Sequence, residues 1–280
     1  MTRLDAASPA RPPGPDHRYT HGHHESVLRS HRWRTAENSA AYLLPSLRPG
    51  LSVLDVGCGP GTITVDLARR VAPGPVVGLD SAAEVVALAR ATTDDRAIGN
   101  LRFTVGDTYA LDFDDGSFDI VHAHQVLQHL AHPVAALAEL GRVCRPGGRV
   151  AARDGDYGGF TWYPADPGLD AWLDLYGAVA RANGGEPDGG RHLASWARAA
   201  GFTEVTTTAS AWCFSDPDDR RWWGELWADR MTESALGARA VELGLATADQ
   251  LQEMAAAWRR WTAHPDGWFA VLHGEILCLR

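Results

Sequence analysis

The stretch Leu51-Ser-Val-Leu-Asp-Val-Gly-Cys-Gly-Pro-Gly61 decides how the rest of the chain is read. Its first six residues form a short apolar run that stops at glycines, the pattern of a strand buried on both faces of a parallel sheet. Thr62 to Val71 then takes up helical spacing. Strand, glycine turn and helix make the first half of a β-α-β unit, and the alternation continues downstream. Val76–Asp80 reads as a second strand and Ala82–Ala91 as a helix. Leu101–Val105 and Phe118–Ala123 read as the third and fourth strands, and Val134–Cys144 as a helix. Arg149–Arg153 is the fifth strand, entered from the turn Arg145-Pro-Gly-Gly148. Upstream, Val27, Leu28, Ala40, Leu43 and Leu44 suggest helices that end near Pro45. Beyond residue 160, helices are predicted at 167–182, 191–200 and within 216–263, with strands at Phe202–Phe214 and Trp268–Leu279. The fold class expected is α/β: a doubly wound, mostly parallel, seven-stranded sheet. A helical cap would cover 19–47 and a helical lid about 216–263, with residues 1–18, rich in Pro and Ala, as a mobile tail.

Composition removes several classes of function. Hydrophobic residues make up 45% and charged residues 22%, which a packed core requires and a disordered chain lacks. A net charge of −9 argues against nucleic acid as a partner. All 26 basic residues are arginine, so neither a Schiff-base lysine nor a phosphate loop built on lysine is available. No run of 18 apolar residues occurs, and the beginning MTRLDAASPARPPGPD has no apolar signal core, so neither membrane insertion nor secretion is expected. Cys58, Cys144, Cys213 and Cys278 show no CxxC spacing and read as reduced thiols of a cytoplasmic protein. His21, His23 and His24 lie close together without acids or cysteines at ligand spacing, and no metal is expected.

Glycines at 57, 59 and 61 let the backbone turn tightly and approach a ligand that a Cβ would block. The spacing is GxGxG rather than the GxGxxG of dinucleotide-binding loops, and an acid, Asp55, precedes it. A carboxylate there suits a cofactor bearing an ammonium group and would repel a pyrophosphate. Four further pieces follow in order: Val76-Val-Gly-Leu-Asp80, Gly106-Asp-Thr108, Phe118-Asp-Ile-Val-His-Ala-His124 and Arg145-Pro-Gly-Gly148. Together the five pieces resemble the class I S-adenosylmethionine-dependent methyltransferases, nearest the ubiquinone/menaquinone C-methyltransferase-like group.

The resemblance covers roughly residues 30–155 and implies a Rossmann-like cofactor core at 48–158. It also implies a set of contacts with S-adenosylmethionine and its product S-adenosylhomocysteine. Gly57, Cys58 and Gly59 would line the methionine and ribose portion, served by Asp55. Asp80 would accept both ribose hydroxyls, with Ser81 beside it. Asp107 would accept the adenine amino group and Thr108 would neighbour the ring. His124 would face the methionine end, and Arg34 would pair with the cofactor carboxylate. The family's lysine before Pro-Gly-Gly is Arg145 here, a neutral exchange. Structural readings stand beside these: Asp80 as a helix cap, Asp107 as a turn cap, and Arg34 as half of a surface ion pair.

For catalysis, His129 lies four residues after Gln125, which would place both on one side of a helical turn at the ligand edge of the sheet. It is a candidate general base, against the alternative of a buried histidine bonded to backbone. Asp154, with Asp156, leaves the fifth strand toward the same rim and is a second candidate base. Ten of the eleven tryptophans lie after residue 150. Trp172 and Trp196 fit helix cores, but adjacent Trp222 and Trp223 cannot share one helix side. At least one of them is expected to line an aromatic or apolar small-molecule acceptor pocket. The function expected is methyl transfer to a small organic acceptor in biosynthetic metabolism. A non-catalytic S-adenosylmethionine-binding module and an NAD-dependent oxidoreductase are the alternatives.

Overall fold

The computed structural model describes residue 20 and residues 25–92 and 98–280. The expected tail at 1–18 and the His21, His23, His24 group lie outside them. Eight strands of the described residues form one sheet: β1 Val53–Val56, β2 Val76–Asp80, β3 Leu101–Val105, β4 Phe118–His124, β5 Cys144–Gly155, β6 Thr161–Tyr163, β7 Glu204–Phe214 and β8 Trp268–Leu279. Its order is β3-β2-β1-β4-β5-β8-β6, with β7 on the other edge of β8. The first five strands are parallel. β8 runs antiparallel to β5, β6 and β7, because it returns from the C-terminal helices instead of crossing over. The eighth strand, β6, is three residues long and gives no period for sequence reading to find.

Among the described residues ten helices accompany the sheet: α1 Glu25–Arg32, α2 Ala36–Ser39, α3 Thr62–Val71, α4 Ala83–Thr92, α5 Pro133–Val143, α6 Pro167–Ala182, α7 Gly189–Ala199, α8 Pro217–Glu233, α9 Ala235–Glu242 and α10 Ala248–Ala263. Alternation along the buried strands gives each face its own core. Leu54, Val56, Val121 and Val150 pack with α5 and α7, and Val53, Val76, Ile120 and Ala151 with α2, α3 and α4. α6 and α8 both open on Asp-Pro. The side chains of Asp166 and Asp216 accept from backbone N–H groups two residues on, while proline occupies the first helical turn.

A third core, rich in aromatic residues, joins α6, α8 and α10 to β8. Trp172 packs edge-on against Trp227 at 4.6 Å and Trp258 at 4.8 Å, and all three are almost wholly buried. The C-terminal tryptophans therefore serve first as a dry core. The N-terminal segment is fastened to this half by Trp33, 5.2 Å from Trp212 and 5.5 Å from Trp222.

Candidate active site

Ligands of open α/β sheets bind where the parallel strands hand over to loops. Strand order places Asp107, Asp80, the glycine loop and Gln125 in a row along that edge, after β3, β2, β1 and β4. Gly57 and Gly59 have φ of 67° and 55°, a region that L side chains avoid. A Cβ on Gly57 would come 2.3 Å from Val126 Cγ2, so that glycine is required by the fold. A Cβ on Gly59 would meet nothing nearer than His31 Nδ1 at 3.7 Å. The face of Gly59 is open.

The loop is tied from beneath. Cys58 N–H donates to Leu79 O at 3.0 Å, and Gly59 N–H to Asp80 Oδ2 at 3.1 Å. The other Asp80 oxygen accepts from Ala82 N–H at 3.1 Å, so one carboxylate both caps the entry to α4 and fixes the loop. Ser81 is exposed beside it. Burial, then the carboxylates of Asp55 and Asp80, push the Cys58 thiol up, which leaves it a packing group. Asp55 is 2% exposed. Its Oδ2 accepts from Thr64 Oγ1 at 2.6 Å and its Oδ1 lies 2.7 Å from His122 Nδ1. Both oxygens are thus engaged inside the fold, and Asp55 reaches a ligand only through the loop it braces. Asp107 Oδ1 accepts from Tyr109 N–H at 2.9 Å in a tight turn that also holds half-buried Thr108.

His124 ends β4 at 5% exposure, and neither ring nitrogen has a hydrogen-bond partner among the described residues. Burial, reinforced by Arg34 and Arg153, holds its pKa well below the usual imidazole range, so the ring is neutral. Arg34 reaches in from the N-terminal segment and donates from Nη2 to Gln125 Oε1 at 2.6 Å. Gln125 Nε2 in turn donates to His273 Nε2 at 2.8 Å, while His273 Nδ1–H donates to Val271 O at 3.0 Å. This chain fixes the His273 tautomer. Gln125, with φ of 53°, is the one non-glycine residue of positive φ among the described residues, a strain that the three bonds around it sustain.

Arg34 and Gln125 border a cavity of about 450 Å³, its open mouth included. Trp33, Trp212, Trp222, Trp223 and Tyr157 form its walls, with Arg34, Gln125 and Arg230 as polar points. Trp222 and Trp223 both line it, because their rings tilt 36° apart about one cavity rather than facing two.

His129 and Asp154 are not brought to this cavity. Residues Leu127–His129 form a single 3-10 turn, and the left-handed Gln125 before it breaks the helical relation expected between Gln125 and His129. Gln128 Nε2 lies 3.1 Å from His129 Nε2. Asp154, placed at the rim by sequence reading, is instead fully buried, and its Oδ1 accepts from Gln128 N–H at 3.2 Å. Burial raises its pKa to about 7. Asp156 pairs with Arg191. The strand end curls these two acids inward to hold loops.

Sequence reading passed over His31, Gln125 and Arg230. Gln125 carried a signal, its place immediately after the fourth strand. His31 and Arg230 carried none, since their positions depend on how α1 and α8 meet.

The parallel sheet, the glycine loop at its ligand edge and the open face of Gly59 define a nucleoside-cofactor-binding α/β protein. Residues 47–190 match the methyltransferase domain family, and the chain belongs to it. An uncharacterized methyltransferase of Schizosaccharomyces pombe is 35% identical over 267 residues, covering 92% of this chain and 95% of the relative. A probable methyltransferase of Aspergillus luteorubrus, LtbC, is 31% identical over 283 residues, covering 94% and 98%. The YcgJ protein from Bacillus subtilis shares the fold, with a TM-score of 0.57 at 19% identity over 87% of this chain and 98% of that one. The cofactor of this family is S-adenosylmethionine, and the residues present fit it: space at Gly59, a carboxylate at the end of β2 and a guanidinium across the loop. The protein is an S-adenosylmethionine-dependent methyltransferase. Among the described residues no helix is long and apolar enough to cross a membrane, and no group of three His, Cys, Asp or Glu residues could hold a metal.

Proposed function

We propose that this methyltransferase acts on a small aromatic or apolar organic acceptor held in the tryptophan-walled cavity. The observation that carries the reading is that Arg34 and Gln125 stand between the glycine-loop edge and that cavity. Bound S-adenosylmethionine supplies an already activated sulfonium methyl, so the protein's main task is alignment. In this reading the backbone at Gly57, Cys58 and Gly59 follows the methionine and ribose portion. Asp80 accepts the ribose hydroxyls with Ser81 beside it. Asp107 accepts the adenine amino group, flanked by Thr108, and Arg34 pairs with the cofactor carboxylate. Neutral His124 supports the methionine end from within the sheet without adding charge. Asp55 and Asp154 act at one remove, through the glycine loop and the 126–128 turn, and His129 packs beside that turn. A cytoplasmic setting accords with four cysteines that form no disulfide.

Calorimetry tests the cofactor roles: S-adenosylhomocysteine should bind and NAD should give no heat. Transfer of a labelled methyl group across a panel of small aromatic acceptors tests the rest. Transfer to none of them, with the cofactor bound, would contradict the acceptor class.

A further inference from the structure

Behind the cavity wall runs a chain of hydrogen bonds whose direction is fixed at both ends. Arg34 Nη2 reaches Gln125 Oε1 at 2.6 Å, Gln125 Nε2 lies 2.8 Å from His273 Nε2, and His273 Nδ1 lies 3.0 Å from Val271 O. A guanidinium can only donate and a backbone carbonyl can only accept. Between these ends one arrangement satisfies every link. Gln125 turns its oxygen to Arg34 and its amide N–H to His273, while His273 carries its proton on Nδ1 and accepts on Nε2. Turning the amide over would set N–H against N–H at Arg34. Moving the His273 proton to Nε2 would set N–H against N–H at Gln125, and a lone pair against Val271 O.

His273 is fully buried on β8 and does not line the cavity, whereas Arg34, Gln125 and Val271 do. Its ring is flanked by Trp212 at 4.4 Å and by His124 at 6.2 Å. Burial, then the charges of Arg153 and Arg34, hold its pKa well below the usual imidazole range, so Nε2 keeps the lone pair that the chain requires. Gln125 is held at its backbone as well, where its N–H donates to Arg153 O at 2.7 Å. With that backbone anchored at a φ of 53°, the amide end is what remains to be set, and His273 sets it.

We propose that His273 is a positioning residue for the cofactor. By accepting from Gln125 it turns the amide oxygen toward Arg34, and so fixes the plane in which that guanidinium meets the cofactor carboxylate. This rests on the reading above that Arg34 pairs with that carboxylate. The plane matters because a guanidinium and a carboxylate join best through two parallel hydrogen bonds, which a rotated fork cannot make. His273 touches neither cofactor nor acceptor, and it acts through the bonds that lead to Arg34. Hydrogen bonds in such a chain polarise one another, so a carboxylate drawing on Arg34 is felt at the His273 ring.

Two ligands isolate the carboxylate: S-adenosylhomocysteine, and 5′-methylthioadenosine, which keeps the adenosine and the sulfur but lacks the amino-acid end. Ring-nitrogen NMR spectra of the unaltered full-length protein should show His273 neutral with its proton on Nδ1. Binding of S-adenosylhomocysteine should shift the Nε2 resonance, and binding of 5′-methylthioadenosine should not. In calorimetry, Arg34→Ala should weaken S-adenosylhomocysteine at least about tenfold and His273→Leu about three- to tenfold, the scales of a charge-assisted and an ordinary hydrogen bond. Neither variant should change the affinity for 5′-methylthioadenosine. His273→Gln, whose amide oxygen can accept in place of Nε2, should recover most of the loss. A proton on Nε2, or an Nε2 resonance that ignores bound S-adenosylhomocysteine or answers both ligands alike, would overturn the proposal. So would a folded His273→Leu variant that binds S-adenosylhomocysteine normally, or one that weakens both ligands alike. Normal S-adenosylhomocysteine affinity in Arg34→Ala would overturn the Arg34 reading itself, and the proposal with it. The spectra of the unaltered protein decide even if the variants fail to fold.

Discussion

The glycine-loop edge and the tryptophan layer handle side chains in opposite ways. At the edge, backbone does the positioning: Gly57 and Gly59 sit where a Cβ is costly, and Asp80 is tied to a loop amide. In the layer, large side chains do it: Trp172, Trp227, Trp258 and Trp261 pack at most 1% exposed. A cofactor common to a whole family can be met by a fixed backbone path. An acceptor that varies among its members calls for a wall whose side chains can change without disturbing that path. The two regions meet at Arg34, Gln125 and Trp212, where the N-terminal segment crosses from one to the other.

The largest expected effect would break the comparison if it appeared on the wrong side. Trp258→Ala removes a ring packed against Trp172 at 4.8 Å and Trp261 at 5.7 Å. It should cost about 3–5 kcal/mol in urea unfolding, as for other buried aromatic truncations, yet leave S-adenosylhomocysteine affinity intact in the folded fraction. Gly59→Val should do the reverse. Its side chain would enter the open face, and affinity should fall by roughly 100-fold or more, while backbone strain costs only about 1–2 kcal/mol of stability. Circular dichroism together with calorimetry separates the two outcomes.

A smaller effect concerns Asp154, which belongs to neither group of contacts. Burial raises its pKa from 3.8 to about 7, so the folded chain binds this proton more tightly than the unfolded chain does. The stability it contributes is complete below pH 3.8 and is lost as pH rises toward 7. Asp154→Asn removes that dependence. The stability difference, wild type minus variant, should therefore decline between pH 4 and 7 by at most about 1.4 kcal/mol per pH unit. A difference that is flat across that range would mean the acid is already ionised in the fold.

The sequence made the edge far more legible than the wall. Apolar runs ending in Gly or Asp mark β1 and β2 because a parallel strand must be apolar on both faces, and the loop after it must turn at once. Of the two readings of Asp80, helix cap and ribose acceptor, the cap is present in its bond from Ala82 N–H, and its other oxygen holds the glycine loop, a contact that the sequence did not signal. Asp154 was misplaced because strand alternation says which face a residue takes but not whether the chain curls over it. His129 was misplaced because one residue, Gln125, adopts a backbone angle that helical spacing does not anticipate. The count of tryptophans signalled an aromatic core, yet which of them reach the cavity depends on how α8 meets Trp33 across nearly 190 residues of chain, and local pattern carries no such information.

The central claim is that cofactor and acceptor are held by separable sets of residues. Calorimetric titration of S-adenosylhomocysteine into Asp80→Ala and Trp222→Ala, side by side with the unaltered protein, tests it most directly. Loss of two charge-assisted hydrogen bonds to the ribose should weaken binding to Asp80→Ala by about tenfold or more, whereas Trp222→Ala should bind as the unaltered protein does. Normal affinity in a folded Asp80→Ala variant, or an equal loss in both variants, would contradict the account.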